Sequence, residues 1–101
     1  MDTRETRIYV GRLEEGRPEV YAVGQISVER LEPTADPFEW GTDPAAAHEL
    51  ARVLLTNASG SEPPADICRR FCQQILSRVP RDGFALQRDT INAWLKRVVT
   101  V

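Results

Sequence analysis

Long apolar runs are missing from this chain: aliphatic residues never exceed three in succession, as in Val53-Leu54-Leu55. A membrane span needs about 20 apolar residues and a secretory leader an apolar core of about 7–15. Neither is expected, and the protein is read as cytoplasmic. Histidine occurs once, at His48, and cysteine twice, at Cys68 and Cys72. A serine or cysteine nucleophile needs a nearby base, and a metal centre needs three or four ligands. A single histidine offers little toward either, so no catalytic residue, no metal ligand and no cofactor is expected. Gly11, Gly16 and Gly24 are isolated, and none opens a helix after a strand as a phosphate-cradling loop requires. Nor is there a large excess of one charge: the net value is −2, which argues against a dedicated nucleic-acid binder.

The 101 residues fit one domain, and apolar and charged fractions of 42% and 28% are those of a folded one. Residues 1–6 alternate charge and are expected to be a flexible lead-in to a domain spanning 1–101. Residues 7–31 read as a strand meander. Arg7 to Leu13 alternates side-chain type and is rich in β-formers. Glu14-Glu15-Gly16-Arg17 has the composition of a hairpin link, and Val20 to Val23 returns, with Pro18 ahead of it. Ile26 to Leu31 alternates again, giving a third strand or extended segment, one face of which would hold Ile26, Val28 and, after a break in phase, Leu31.

Residues 32–43 form a loop, since Pro33 and Pro37 oppose regular structure. Residues 44–101 read as three helices. Asp43 is a candidate cap and Pro44 suits a first helical position. Ala47, Leu50, Ala51, Leu54 and Leu55 then recur at helical spacing until Gly60. A second proline-led start at Pro63-Pro64 precedes the stripe Ile67, Cys68, Phe71, Cys72, Ile75, Leu76 and Val79. The two thiols share one helical face and count as core residues; a redox pair or a metal site are the weaker readings. Phe84-Ala85-Leu86 is a brief extended piece with one more β-bridge as an option, and residues 88–98 form the third helix, with Ile91, Trp94, Leu95 and Val98 inward. The expected fold is α+β: a small antiparallel sheet of two or three N-terminal strands packed against three C-terminal helices.

Two clusters invite a functional reading. Phe38-Glu39-Trp40-Gly41 is either satellite core, with Glu39 paired to Arg7 or Arg12, or a partner-binding loop anchored by Trp40. Arg69, Arg70, Arg78, Arg81, Arg88, Lys96 and Arg97 form either a solvated helix face or a phosphate-contacting surface. They reflect a polarity along the chain: residues 1–60 carry 11 acidic and 6 basic side chains, residues 61–101 carry 4 and 7. Such a bipolar surface orients an encounter with a partner or a second copy. His48 reads as an exposed or half-exposed helix residue, and an acidic site of Glu39, Asp43 and His48 ranks last, because Asp43 serves as the cap.

The spacing Arg7-x-Tyr9-x-Gly11-Arg12, Val20-Tyr21, Phe38-Glu39-Trp40-Gly41, Leu50-Ala51-x-x-Leu54-Leu55 and Ile91-x-x-Trp94-Leu95 resembles a small domain-of-unknown-function family met in bacteria, archaea and phages. The resemblance implies an independent mixed α/β domain over nearly the whole chain. It supplies no activity and no site, and it adds weight to a mobile-element protein acting on a host protein. The function expected is a non-enzymatic protein–protein interaction module, with an unidentified protein or a second copy as partner. The alternative is a nucleic-acid-associated protein using the basic helices.

Overall fold

The computed structural model describes residues 7–34, 36–41 and 44–99. The expectations for residues 1–6 and for Asp43 as a cap fall outside them. The fold is α+β, with one more strand than the sequence suggested. Strands β1 (Ile8–Glu14), β2 (Arg17–Val23), β3 (Val28–Leu31) and β4 (Gly83–Gln87) form one antiparallel sheet in the order β3-β2-β1-β4. The helices are α1 (His48–Ser59), α2 (Ala65–Phe71) and α3 (Arg88–Val99). The helical half is thus not continuous: β4 lies between α2 and α3 and returns to pair with β1. Phe84-Ala85-Leu86 is short and mostly apolar, so its local pattern does not separate a strand from a loop. The pairing with β1 decides it.

The β1–β2 hairpin turns on two residues, Glu15 at φ 53° and Gly16 at φ 79°. Positive φ at both positions is the turn whose twist matches the flanking strands. Its register sets the faces of the sheet. Tyr9, Val20, Ala22, Leu31 and Phe84 point inward and are buried with the helical residues. Gly11 lies opposite Phe84, and a Cβ there would sit 2.1 Å from the Phe84 ring, so the ring packs over bare backbone. The third strand is shorter than expected and its faces differ from the expected ones. Leu31 pairs with Val20 and is buried, while Val28 pairs with Val23 on the opposite face. Ile26 sits in the turn before β3, closed by Gly24 N–H donating to the Ser27 carbonyl at 2.8 Å.

Helix α1 is preceded by a 3₁₀ turn, Pro44–Ala47, and ends where Gly60 adopts φ 88° and its N–H donates to the Thr56 carbonyl. Leu50, Ala51, Leu54 and Leu55 are fully buried, as their spacing predicts. Helix α2 runs on into a π-turn, Cys72–Leu76, in which Ser77 N–H reaches the Cys72 carbonyl at 2.9 Å. Cys68 and Cys72 are free and buried. Desolvation raises both thiols, and the proximity of Cys68 helps push Cys72 to about 11. They are core residues. Trp94 on α3 packs edge-on against Phe71 at 5.1 Å, and its indole N–H donates to Gln74. Among the described residues, no helix is long and apolar enough to cross a membrane.

Candidate functional site

The Phe38–Gly41 segment lies against the chain that leaves the π-turn. Phe38 and Trp40 are buried, Trp40 completely, and Trp40 meets Phe84 edge-to-face at 5.0 Å. The Trp40 indole N–H donates to the Arg81 carbonyl at 3.0 Å. Glu39 pairs with Arg81 at 3.0 Å, and the Arg81 guanidinium lies over the Trp40 ring. Gly41 N–H donates to the Leu76 carbonyl, and at φ 70° its Cα comes so close that a Cβ would lie 2.9 Å from the Val79 carbonyl oxygen. Glu39, Trp40 and Gly41 are therefore occupied in clasping residues 76–81, and Phe38 is buried beside them. The expected partners of Glu39 were Arg7 or Arg12, and the structure corrects this. Arg7 donates to Asn57 Oδ1 at 2.8 Å, alongside the Tyr9 hydroxyl at 2.7 Å, while Arg12 pairs with Glu14 at 3.4 Å. Trp40 offers no anchor to a partner while this core stays closed.

Arg81, of the basic set, is thus tied to Glu39 and to the Trp40 ring. Arg69, Arg70, Arg78, Lys96 and Arg97 are exposed on the helical side, and Arg88 is half-buried at the start of α3. His48 is half-buried beside a hollow lined also by Asp36, Glu39 and Glu49. That hollow is acidic, but Glu39 and Glu49 are engaged. Glu49 is buried and accepts from the Thr34 N–H at 2.9 Å and from Arg52 at 2.7 Å, and Arg52 extends to Glu62. The hydrogen bond that Arg52 donates to Glu49 raises the pKa of Arg52. The knot ties the loop, α1 and the α1–α2 connection together. Among the described residues, no group of three or more metal-ligating side chains gathers.

A surface the sequence reading did not single out lies on the other face of the sheet. The register places four rows there. Gln87, Ile8, Val23 and Val28 form the first, and Ala85, Val10, Tyr21 and Arg30 the second. Gly83, Arg12 and Glu19 form the third, and Glu14 with Arg17 the fourth. Six of these thirteen positions are apolar and five carry charges of both signs. Val10, Arg12, Tyr21, Val23 and Val28 line a shallow depression. Val28 is 68% exposed, and Ile26, in the adjoining turn, 95%. The tertiary core gathers on the inner face with the helices, and none of Ile8, Val10, Val23 and Val28 belongs to it. The signal was present in the alternation of β1 and β2, where both the odd and the even positions carry apolar residues.

Comparison with known families decides the chain's affiliation. The family of unknown function DUF6166 matches residues 4–97. The chain belongs to that family. The match spans strands, loop and helices alike, so the DUF6166 unit is this whole fold. No curated protein and no solved structure matches the chain.

Proposed function

We propose that this DUF6166 protein is a non-enzymatic protein–protein interaction module, and that its contact surface is the open face of the sheet. One observation carries the reading. An antiparallel sheet with a single covered face normally alternates apolar inward and polar outward. Here Ile8, Val10, Tyr21, Val23, Val28 and Ala85 make six of the thirteen outer positions apolar, with Ile26 beside them. An apolar patch rimmed by charges on a small domain is the composition of a docking surface. The Phe38–Gly41 segment contributes indirectly, by holding residues 76–81 and hence the start of β4 in place.

The alternative, nucleic-acid association through Arg69, Arg70, Arg78, Lys96 and Arg97, uses the opposite side of the molecule and makes the opposite prediction. Capture of binding partners from cell extract, with nuclease present, separates the two. Val10→Lys abolishes capture on the present reading, while the double variant Arg69→Glu/Arg70→Glu leaves it intact. Loss of capture only in the arginine variant, together with sensitivity to nuclease and salt, supports the alternative.

A further inference from the structure

The open face has an internal order that singles out one occupant. We infer that it packs against the same face of a second copy of this chain, about a two-fold axis parallel to the strands and running between β1 and β2. The inference rests on the reading of this face as a docking surface and goes beyond it by naming the partner.

Strand register makes the face self-complementary. A two-fold axis in the plane between two apposed sheets exchanges β1 of one copy with β2 of the other, without changing position along the strands. Residues that are cross-strand neighbours within one copy therefore come to lie over each other between copies. The β1–β2 neighbours on the open face are Ile8 with Val23, Val10 with Tyr21, Arg12 with Glu19, and Glu14 with Arg17. Each is apolar with apolar or acid with base. The axis thus places Ile8 of one copy over Val23 of the other, Val10 over Tyr21, Arg12 over Glu19 and Glu14 over Arg17, each twice. A face made of like charges, or an apolar row facing a charged one, would lack this property. Self-complementarity is what a two-fold interface demands.

Twist and size agree. Aligned sheets pack about 10 Å apart with strands rotated by about 30°, so the Val10–Tyr21 and Arg12–Glu19 rows at the middle of the strands stay in register, while the end rows and the corners diverge. The β1 and β2 strands flank the axis; the shorter β3 and β4 occupy the corners. Strands of seven, seven, four and five residues, about 4.8 Å apart and rising about 3.3 Å per residue, give a flat footprint of roughly 360 Å² per copy. With side-chain relief added, the pair stands near the lower bound of about 1,200 Å² for specific interfaces, so dissociation in the micromolar range is expected. The intrachain pairs Arg12–Glu14 and Arg30–Glu19, at 3.4 and 3.6 Å, are partly exposed and able to re-pair across the interface.

Sedimentation equilibrium of the full chain over a wide concentration range tests the inference, using Arg12→Glu and Glu19→Arg. Each variant alone sets like charges over each other at two places and weakens dimerisation on the order of tenfold or more. An equimolar mixture of the two variants restores it. In the mixed pair, the acid introduced at position 12 meets the base introduced at position 19, and the native Arg12 of one copy meets the native Glu19 of the other. Recovery in the mixture supports the two-fold pairing and cannot arise from misfolding of either variant. A wild type that stays monomeric at all concentrations overturns the second-copy occupant. Should Val10→Lys nevertheless abolish capture of a different protein, the docking surface stands and only its occupant changes. If neither dimerisation nor capture responds to Val10→Lys, the reading of the face falls as well.

Discussion

Trp40 separates a packing residue from a binding residue by energetics alone. Removing its indole by Trp40→Ala leaves a void against Phe84 and an unpaired Arg81 carbonyl, at a cost of about 3–5 kcal/mol. Trp40→Phe keeps most of the packing and loses the hydrogen bond, costing about 1–2 kcal/mol. Urea denaturation measures both; a cost under about 0.5 kcal/mol for the alanine variant would place the ring in solvent. Gly11→Ala drives a methyl into the Phe84 ring and costs about 1–3 kcal/mol. The same substitution combined with Phe84→Leu recovers part of that loss. Buried Cys72 and Tyr9 give a pH signature. Desolvation raises Cys72 from 9.0 to about 11 and raises Tyr9 above its usual 10.0. Both fold as neutral groups, so their contribution is complete below pH 9 and is lost as pH rises through their folded values. The urea midpoint should therefore be flat from neutral pH to about 9 and fall beyond it, with the thiols resisting alkylation until the chain unfolds.

At the scale of elements, the sequence was most informative where one local rule acts alone. Gly60 ends α1 and the Leu50–Leu55 stripe is buried because helical period and a left-handed stop residue need no distant partner. The residue facing each strand position was not legible for Val28 and Leu31. Their inward or outward sense depends on pairing with β2, and the turn at Gly24–Ser27 resets the phase. β4 was legible only as a brief extended piece for the same reason: its place in the sheet comes from pairing with β1. The Phe38–Gly41 segment showed its aromatic content but not its destination, since Arg81 lies far along the chain. The hairpin turn offers a test of local design. Glu15 holds φ 53°, where asparagine is more at ease. Glu15→Asn, by relieving left-handed strain that costs roughly 1–2 kcal/mol in ordinary residues, should stabilise the domain. A melting temperature unchanged or lowered by this substitution would show the turn to be different in solution.

For the molecule as a whole, the helices and the inner sheet face account for the core, and the Arg7–Arg12 and Phe38–Gly41 segments fall within that account. Tyr9 and Arg7 reach Asn57, Gly11 admits Phe84, and Trp40 with Gly41 grips residues 76–81. These contacts build the fold and leave the outer face of the sheet as the surface to be explained. The aromatic loop is conspicuous in the sequence because large side chains in a proline-rich stretch stand out. The apolar residues of the open face are ordinary strand formers, and only the register joins them into one patch. The most direct measurement of the central claim is site-specific photocrosslinking. A crosslinking amino acid replaces Val28 on the open face, Glu39 in the clasp or Arg70 on the helical side, in separate full-length proteins at micromolar concentration in cell extract. The account predicts intermolecular crosslinks from position 28 and none above background from positions 39 and 70. Crosslinks from 39 or 70 with none from 28 would contradict it and move the contact surface to the other side of the molecule.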